Sequence, residues 1–320
     1  FELDKVYSFI KNSQLVALQF PEGLMKFSVE ISELIERNTQ ASPIIFGDVV
    51  YGACNYDSCA SKLMGIEKYV HFGHTQLVKP TIDTLFIPCR LQHKLSSENV
   101  NLIQQHLQIN KFTEIQVTGT AQTHHFIPQL QQRLNNVKIS VHQFKSLNYG
   151  EMLGCTCQVN QKIVYSLVDG IFHAEASNIC SPNSRIFQVN LILNQIQEIQ
   201  TDVQLKKLKR LEMVRKVKQL KIEKVLIVFG TLGQQSSLTT LNSVKQRLKG
   251  KIVHVQALQE IFPHKILSGY DLVLQIACPR LTFDWGEEFG YNILSLNEFE
   301  NIEDMEDSYR LDNFAGVEGK

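Results

Sequence analysis

At 320 residues, 43% hydrophobic and 20% charged, the chain is long enough for two or three domains with cores of their own and too apolar to be disordered or fibrous. Lys plus Arg and Asp plus Glu balance at 32 each, so no overall field recruits or repels nucleic acid, and no direct nucleic-acid contact is expected. No apolar run approaches the about 18 residues that cross a bilayer, which excludes a membrane span.

In chain order, Leu15-Val16-Ala17-Leu18 reads as a strand running into the turn Pro21-Glu22-Gly23, and Ile31, Leu34 and Ile35 share one face of the helix that follows. The unit passes the turn Tyr51-Gly52-Ala53-Cys54, and Gly65 reads as a helix stop before the strand Tyr69-Val70-His71-Phe72. A first domain over 1–105 results. The second, over 106–190, opens with Ile115-Gln116-Val117 before Gly119-Thr120, continues with a helix carrying Ile127, Leu130 and Leu134, and passes Leu153-Gly154-Cys155. Ile163-Val164-Tyr165-Ser166-Leu167 is a further strand before Asp169-Gly170-Ile171-Phe172-His173.

A helical connection over 191–224 is rich in Lys and Arg but places Leu205, Leu208, Leu211, Val214 and Val217 at helical spacing, the mark of a packed amphipathic helix. The third domain, 225–320, opens with Val225-Leu226-Ile227-Val228 before Gly230-Thr231-Leu232-Gly233 and passes Ile276-Ala277-Cys278-Pro279. Glu300, Glu303, Asp304, Glu306 and Asp307 then predict a frayed acidic tail. Apolar strands alternating with amphipathic helices predict three related α/β domains with mainly parallel sheets around a central site. Cys54, Cys155 and Cys278 each close what looks like the same strand-helix-strand unit in a Gly- or Pro-marked turn, and since ligands in such sheets gather outside the carboxyl ends of the strands, the three would converge there.

Seven cysteines at positions 54, 59, 89, 155, 157, 180 and 278 make an odd count without regular spacing, which fits a reducing, cytoplasmic setting. The sequence opens on Phe1 instead of methionine, which leaves an upstream segment open, and its first residues carry no signal-peptide pattern. Three thiolates can hold a 4Fe-4S cluster with one iron left open to a substrate. Two other readings of the thiols stand beside it. Cys54 with Cys59 and Cys155 with Cys157 could form a four-thiolate zinc site, though poorly spaced, and scattered cysteines also serve as small buried hydrophobes. His71, His74 and His173 follow strands and could meet metal or substrate, or close polar turns. The Gly230 to Gly233 turn lets backbone approach an anion but lacks the Lys of a P-loop.

Taken together, the chain resembles the radical enzyme family of the first step of diphthamide biosynthesis, the 2-(3-amino-3-carboxypropyl)histidine synthases. The resemblance rests on Leu18-Gln19-Phe20-Pro21-Glu22-Gly23-Leu24, Gly47-Asp48-Val49-Val50-Tyr51-Gly52-Ala53-Cys54, His71-Phe72-Gly73-His74 and Gly150-Glu151-Met152-Leu153-Gly154-Cys155-Thr156. It continues through Asp169-Gly170-Ile171-Phe172-His173, Gly230-Thr231-Leu232-Gly233 and Ala277-Cys278-Pro279-Arg280-Leu281-Thr282-Phe283-Asp284-Trp285-Gly286. The last stretch is the most specific and is more similar to the catalytic first subunit of eukaryotes than to the archaeal homodimeric enzyme.

The resemblance implies a 4Fe-4S cluster on Cys54, Cys155 and Cys278, with S-adenosylmethionine on the free iron and an aminocarboxypropyl radical delivered to a histidine of translation elongation factor 2. No catalytic residue beyond the cluster ligands is implied. Gln19, Glu22, Gly230, Thr231, Leu232, Gly233, Gln235 and Arg280 are the candidate cofactor contacts, with Arg280 equally able to pair with Asp284. Further implied partners are a related second subunit, in a heterodimer or a homodimer, and a small iron-carrying electron donor. A non-catalytic scaffold subunit of the same complex is the alternative. Gln234, Ser236, Ile171, Ala174 and Tyr149 depart from the family pattern, and Cys59, Cys89, Cys157 and Cys180 have no assigned role.

Overall fold

The computed structural model describes residues 1–47, 52–55, 58–91, 94–144, 146–156, 159–181, 183–200, 202–232, 236–303, 305, 309 and 311. Helix α1 (Leu3–Ile10) leads into β1 (Leu15–Gln19), followed by α2 (Ser28–Asn38), β2 (Ser42–Phe46), α3 (Ser58–Leu63), β3 (Lys68–Phe72) and β4 (Asp83–Ile87). Helix α4 (Ser97–Ile109) precedes β5 (Glu114–Gly119), α5 (Ile127–Arg133), β6 (Lys138–Ser140), β7 (Ile163–Leu167), α6 (Phe172–Cys180), β8 (Arg185–Asn190) and β9 (Gln195–Glu198). The chain continues through α7 (Val203–Gln219), β10 (Lys224–Gly230), α8 (Leu238–Arg247), β11 (Ile252–Leu258), β12 (Leu272–Ile276), α9 (Pro279–Trp285), β13 (Ile293–Ser295) and α10 (Leu296–Glu300).

These strands form three sheets ordered β2-β1-β3-β4, β6-β5-β7-β8-β9 and β11-β10-β12-β13. Each has its first strand inside, its second on one flank and its third on the other. All pairings are parallel except that of β8 with β9. The chain is therefore an α/β protein with the same topology used three times, as the alternating pattern predicts. Near-continuous apolar runs such as Val225 to Val228, fully buried, are what sheets covered on both faces require.

Burial moves the predicted boundaries. Helix α4 contributes Val100, Ile103 and Leu107 to the core around Ile115, Val117 and Phe187, so it belongs to the second unit and the first ends before residue 105. Strand β9 extends the second sheet past residue 190, leaving α7 as the connecting helix.

On α7 the C-terminal half buries Leu211, Val214 and Val217 as expected, but Leu205 and Leu208 are exposed while Lys207 and Arg210 are buried. The reason is electrostatic. Arg210 donates through Nε and Nη2 to the two carboxylate oxygens of Glu298, each at 2.7 Å, and through Nη2 to the Ile293 carbonyl at 2.6 Å, which turns that helix face inward. The predicted frayed tail is corrected as well: Tyr309 and Leu311 are buried against Met152, Ile179 and Phe283. Asp304, Glu306 and Asp307 lie outside the described residues.

Candidate metal centre

Three turns carry the three cysteines, but the repeat does not place them equivalently. Cys54 and Cys155 each lie between the second and third strands of their sheets, whereas Cys278 stands two residues beyond β12, the third strand of its own. The counterpart of Cys278 in the first sheet is His74, two residues beyond β3. The three cysteines thus stand at unlike corners of like sheets.

Each turn is shaped by close packing and buried hydrogen bonds. In the first, a Cβ on Gly52 would come within 2.4 Å of His74 Nε2, so only glycine lets the turn lie against that ring. Gln19, 3% exposed at the end of β1, donates to the Asn55 carbonyl at 3.3 Å and accepts from the Tyr69 hydroxyl at 2.7 Å. In the second, the Leu153 N–H donates to Thr156 Oγ1, and Gly154 lies against the Phe172 ring, which a Cβ would meet at 2.1 Å. In the third, Gln275, inside the otherwise apolar β12, donates to the Cys278 carbonyl at 2.9 Å and to Thr282 Oγ1 at 2.8 Å.

Arg280 ties the second turn to the third. It is 5% exposed, and its guanidinium donates to the Gly154 and Phe172 carbonyls, to Glu175 at 3.1 Å and to Asp284 at 2.8 Å, while stacking 4.2 Å from the Phe172 ring centre. The pairing with Asp284 that the sequence allowed is therefore formed. Gln19 and Arg280, both candidate cofactor contacts, have these donors engaged by the protein.

The remaining candidates are dispersed. Glu22 is exposed at the start of a short 3-10 helix, Thr231 is exposed with its N–H on the Leu258 carbonyl, and Leu232 is half-buried. Gly230 packs on Ala277, whose Cβ an added methyl would meet at 2.6 Å. Gly233 and Gln235 lie outside the described residues, as does Gln234 among the departures. Ser236 donates to the Gly230 carbonyl, and Tyr149 and Ile171 are exposed while Ala174 is buried.

The three thiols lie within electrostatic reach of one another. Burial pushes the Cys155 thiol well above the ordinary range, and Cys278 and Cys54 add to the shift while Arg280 opposes it. Burial, then Cys54, pushes Cys278 up to about 12, against the N–H groups of Arg280 and Leu281 and the Arg280 charge. Such thiols stay protonated near neutrality unless a cation takes the proton's place. Among the described residues no three His, Cys, Asp or Glu side chains converge tightly enough to hold a metal ion. The four-cysteine zinc site gains no support, because Cys59 is exposed on α3 and Cys157 lies outside the described residues. A cluster of several irons spans a wider gap between thiolates than one ion does, and an all-sulfur donor set suits it. Cys180, the last residue of α6, also raises Cys155.

Beside the thiols stand largely buried imidazoles. His71 Nε2 lies 3.0 Å from His74 Nδ1, so one proton is shared, and His71 Nδ1 has no partner. Burial, then neighbouring His173, lowers His74 to about 4, and burial lowers His173 to about 4 with Arg280 adding and Asp169 opposing. Both rings are neutral near pH 7. Sequence reasoning missed Tyr69, Gln275 and Glu175 as partners of the turns. For Gln275 a signal existed, since a lone amide inside an apolar strand must find partners.

Residues 20–313 match the diphthamide synthesis protein family. The chain belongs to that family. It is 32% identical to subunit 1 of 2-(3-amino-3-carboxypropyl)histidine synthase from Caenorhabditis elegans, across 98% of the chain and 84% of the relative. The human protein of the same name is also 32% identical, across 99% and 75%. In fold, the family member resembles a crystal structure of Dph2 from Pyrococcus horikoshii with a 4Fe-4S cluster, at a TM-score of 0.79 and 21% identity, covering 98% of this chain and 94% of that one. Among the described residues no helix is long and apolar enough to cross a membrane.

Proposed function

We propose that this chain is the subunit of a 2-(3-amino-3-carboxypropyl)histidine synthase that transfers an aminocarboxypropyl group from S-adenosylmethionine to a histidine of translation elongation factor 2. The observation that supports the proposal is that Cys54, Cys155 and Cys278, carried by the turns of three separate sheets, lie within electrostatic reach of one another in a member of this family. Those thiols would hold a 4Fe-4S cluster, which when bound supplies the electron that breaks a carbon–sulfur bond of the sulfonium.

The chain's own residues do the rest. Tyr69 and Gln19 hold the first thiol's turn, Gln275 the third, and Arg280 spans the second and third. The His74 ring lies against Gly52 and the Phe172 ring against Gly154, beside the first and second cysteines, and His74 and His173 carry no charge near pH 7. The relatives' name, subunit 1, supports a complex with a second, related subunit. A small iron-carrying reductant completes the set.

Anaerobic reconstitution with iron and sulfide, followed by electron paramagnetic resonance after reduction, tests the centre. Wild type should give a reducible cluster and Cys155→Ala should lose it; full cluster content in the variant rejects the three-thiol reading. Transfer of label from the aminocarboxypropyl carbons of S-adenosylmethionine to elongation factor 2 tests the reaction. Transfer of methyl label instead would reject the proposed bond cleavage.

A further inference from the structure

We infer that Gln19, Gln275 and Arg280 are positioning residues that preset the three cysteine turns, each by holding one turn carbonyl away from the sulfur it adjoins. The inference rests on the three-thiol reading above and adds to it the residues that hold the three turns in place for a cluster. The three contacts have one form. A buried side-chain N–H takes the carbonyl of Asn55, next to Cys54, at 3.3 Å; of Gly154, next to Cys155, at 3.0 Å; and of Cys278 itself at 2.9 Å.

Burial makes these contacts informative. Gln19, Gln275 and Arg280 are 3%, 0% and 5% exposed, and a buried amide or guanidinium is costly unless its donors are used. Gln275 shows which end matters. Its Oε1 has no partner, while its Nε2 serves both Cys278 and Thr282, so the residue is retained in an apolar strand for its donors.

The chemistry gives the reason. A carbonyl oxygen carries partial negative charge, and beside a thiolate or a sulfide-bridged cluster it is repelled and lowers the potential. With each carbonyl accepting from a protein N–H, its partial negative charge is offset and its place in the turn is fixed. Arg280 adds a second restraint. Its α9 belongs to the third sheet, yet it grips the turn before Cys155, so one side chain sets the separation of two thiols.

The test compares wild type with Gln275→Leu, Gln19→Leu, Arg280→Met and Arg280→Lys after anaerobic reconstitution. Iron and sulfide per chain, the rate of iron loss to a strong chelator and the midpoint potential are read beside the melting temperature of each apo-chain. Each variant should release iron about tenfold faster than wild type, with a midpoint shifted to lower potential; Gln275→Leu, whose Oε1 has no partner to lose, should keep an apo melting temperature close to wild type, whereas Arg280→Met and Gln19→Leu, which strand Glu175, Asp284 and the Tyr69 hydroxyl, should lower it. Arg280→Lys should recover little, because one ammonium cannot reach Gly154, Phe172 and Glu175 together. Wild-type retention and potential in the leucine and methionine variants would overturn the inference, and so would iron loss that merely tracks a lowered apo melting temperature. If wild type itself binds no iron and sulfide, the three-thiol reading fails instead.

Discussion

At the scale of single residues, the most deeply buried ion pair among the described residues joins α7 to α10. Arg210 and Glu298 form a bidentate pair whose side chains are 4% and 0% exposed, and Tyr309 donates to the same carboxylate at 2.9 Å. Removing one partner strands the other, so Arg210→Met should cost about 3–5 kcal/mol in urea unfolding of the apo-chain. Arg210→Met combined with Glu298→Gln should restore much of that loss, since no unpaired charge then remains. Equal losses in the single and double variants would show that packing, not charge, sets the cost. Arg210 was unreadable as a core residue in sequence, because a basic helix with apolar spacing at 205, 208 and 211 looks like a solvated charged face over an apolar one. Its partner lies 88 residues away, a distance that periodicity does not span.

At the scale of elements, the site depends on how closely β10 and β12 approach at their carboxyl ends. Gly230 has no side chain where Ala277 presses in, so Gly230→Ala should cost about 1–3 kcal/mol by overpacking and displace the Cys278 turn. Ala277→Gly in the same chain should relieve the contact. Stability unchanged by Gly230→Ala alone would mean that the strands part freely. The strands themselves were legible: Leu15 to Leu18, Ile115 to Val117, Ile163 to Leu167 and Val225 to Val228 all lie within strands, as apolar runs ended by Gly or Pro turns should. What the pattern could not give was strand order. Cys278 looks in sequence like the third copy of one turn, and only the pairing of β12 beside β10 shows that it closes a different strand, with His74 as its counterpart.

At the scale of the whole molecule, histidines set the response to acid. His74 and His173 are held to about 4, and burial lowers His71, His106, His124 and His142 as well. An unfolded histidine takes its proton near 6.5. Above that pH both states are neutral and nothing is lost. As pH falls from about 6.5 toward 4 the unfolded chain gains protons that folded His74 and His173 refuse, and stability drops by on the order of 1 kcal/mol per pH unit for each of these two rings. The urea midpoint of the apo-chain should therefore fall between pH 7 and 5, before most carboxylates titrate. A midpoint constant over that interval would contradict the burial of these imidazoles. Three mainly parallel sheets were readable from the repeat, but the side on which α4 packs was not, because α4 is amphipathic toward a sheet that follows it in the chain.

The unlike placement of the three thiols has a consequence in time. Chains emerge from the ribosome amino end first, and domains generally fold as units as they appear. Cys54 and Cys155 lie before the third sheet begins at β10, whereas Cys278 follows β12, near the carboxyl end. Arg280, which grips the turn beside Cys155, emerges two residues later still. Cys54 and Cys155 are thus made before Cys278 and the Arg280 clamp exist. The three thiols can act together only once β12 and the turn after it have been made, so whatever they hold must arrive after the third sheet and not before it.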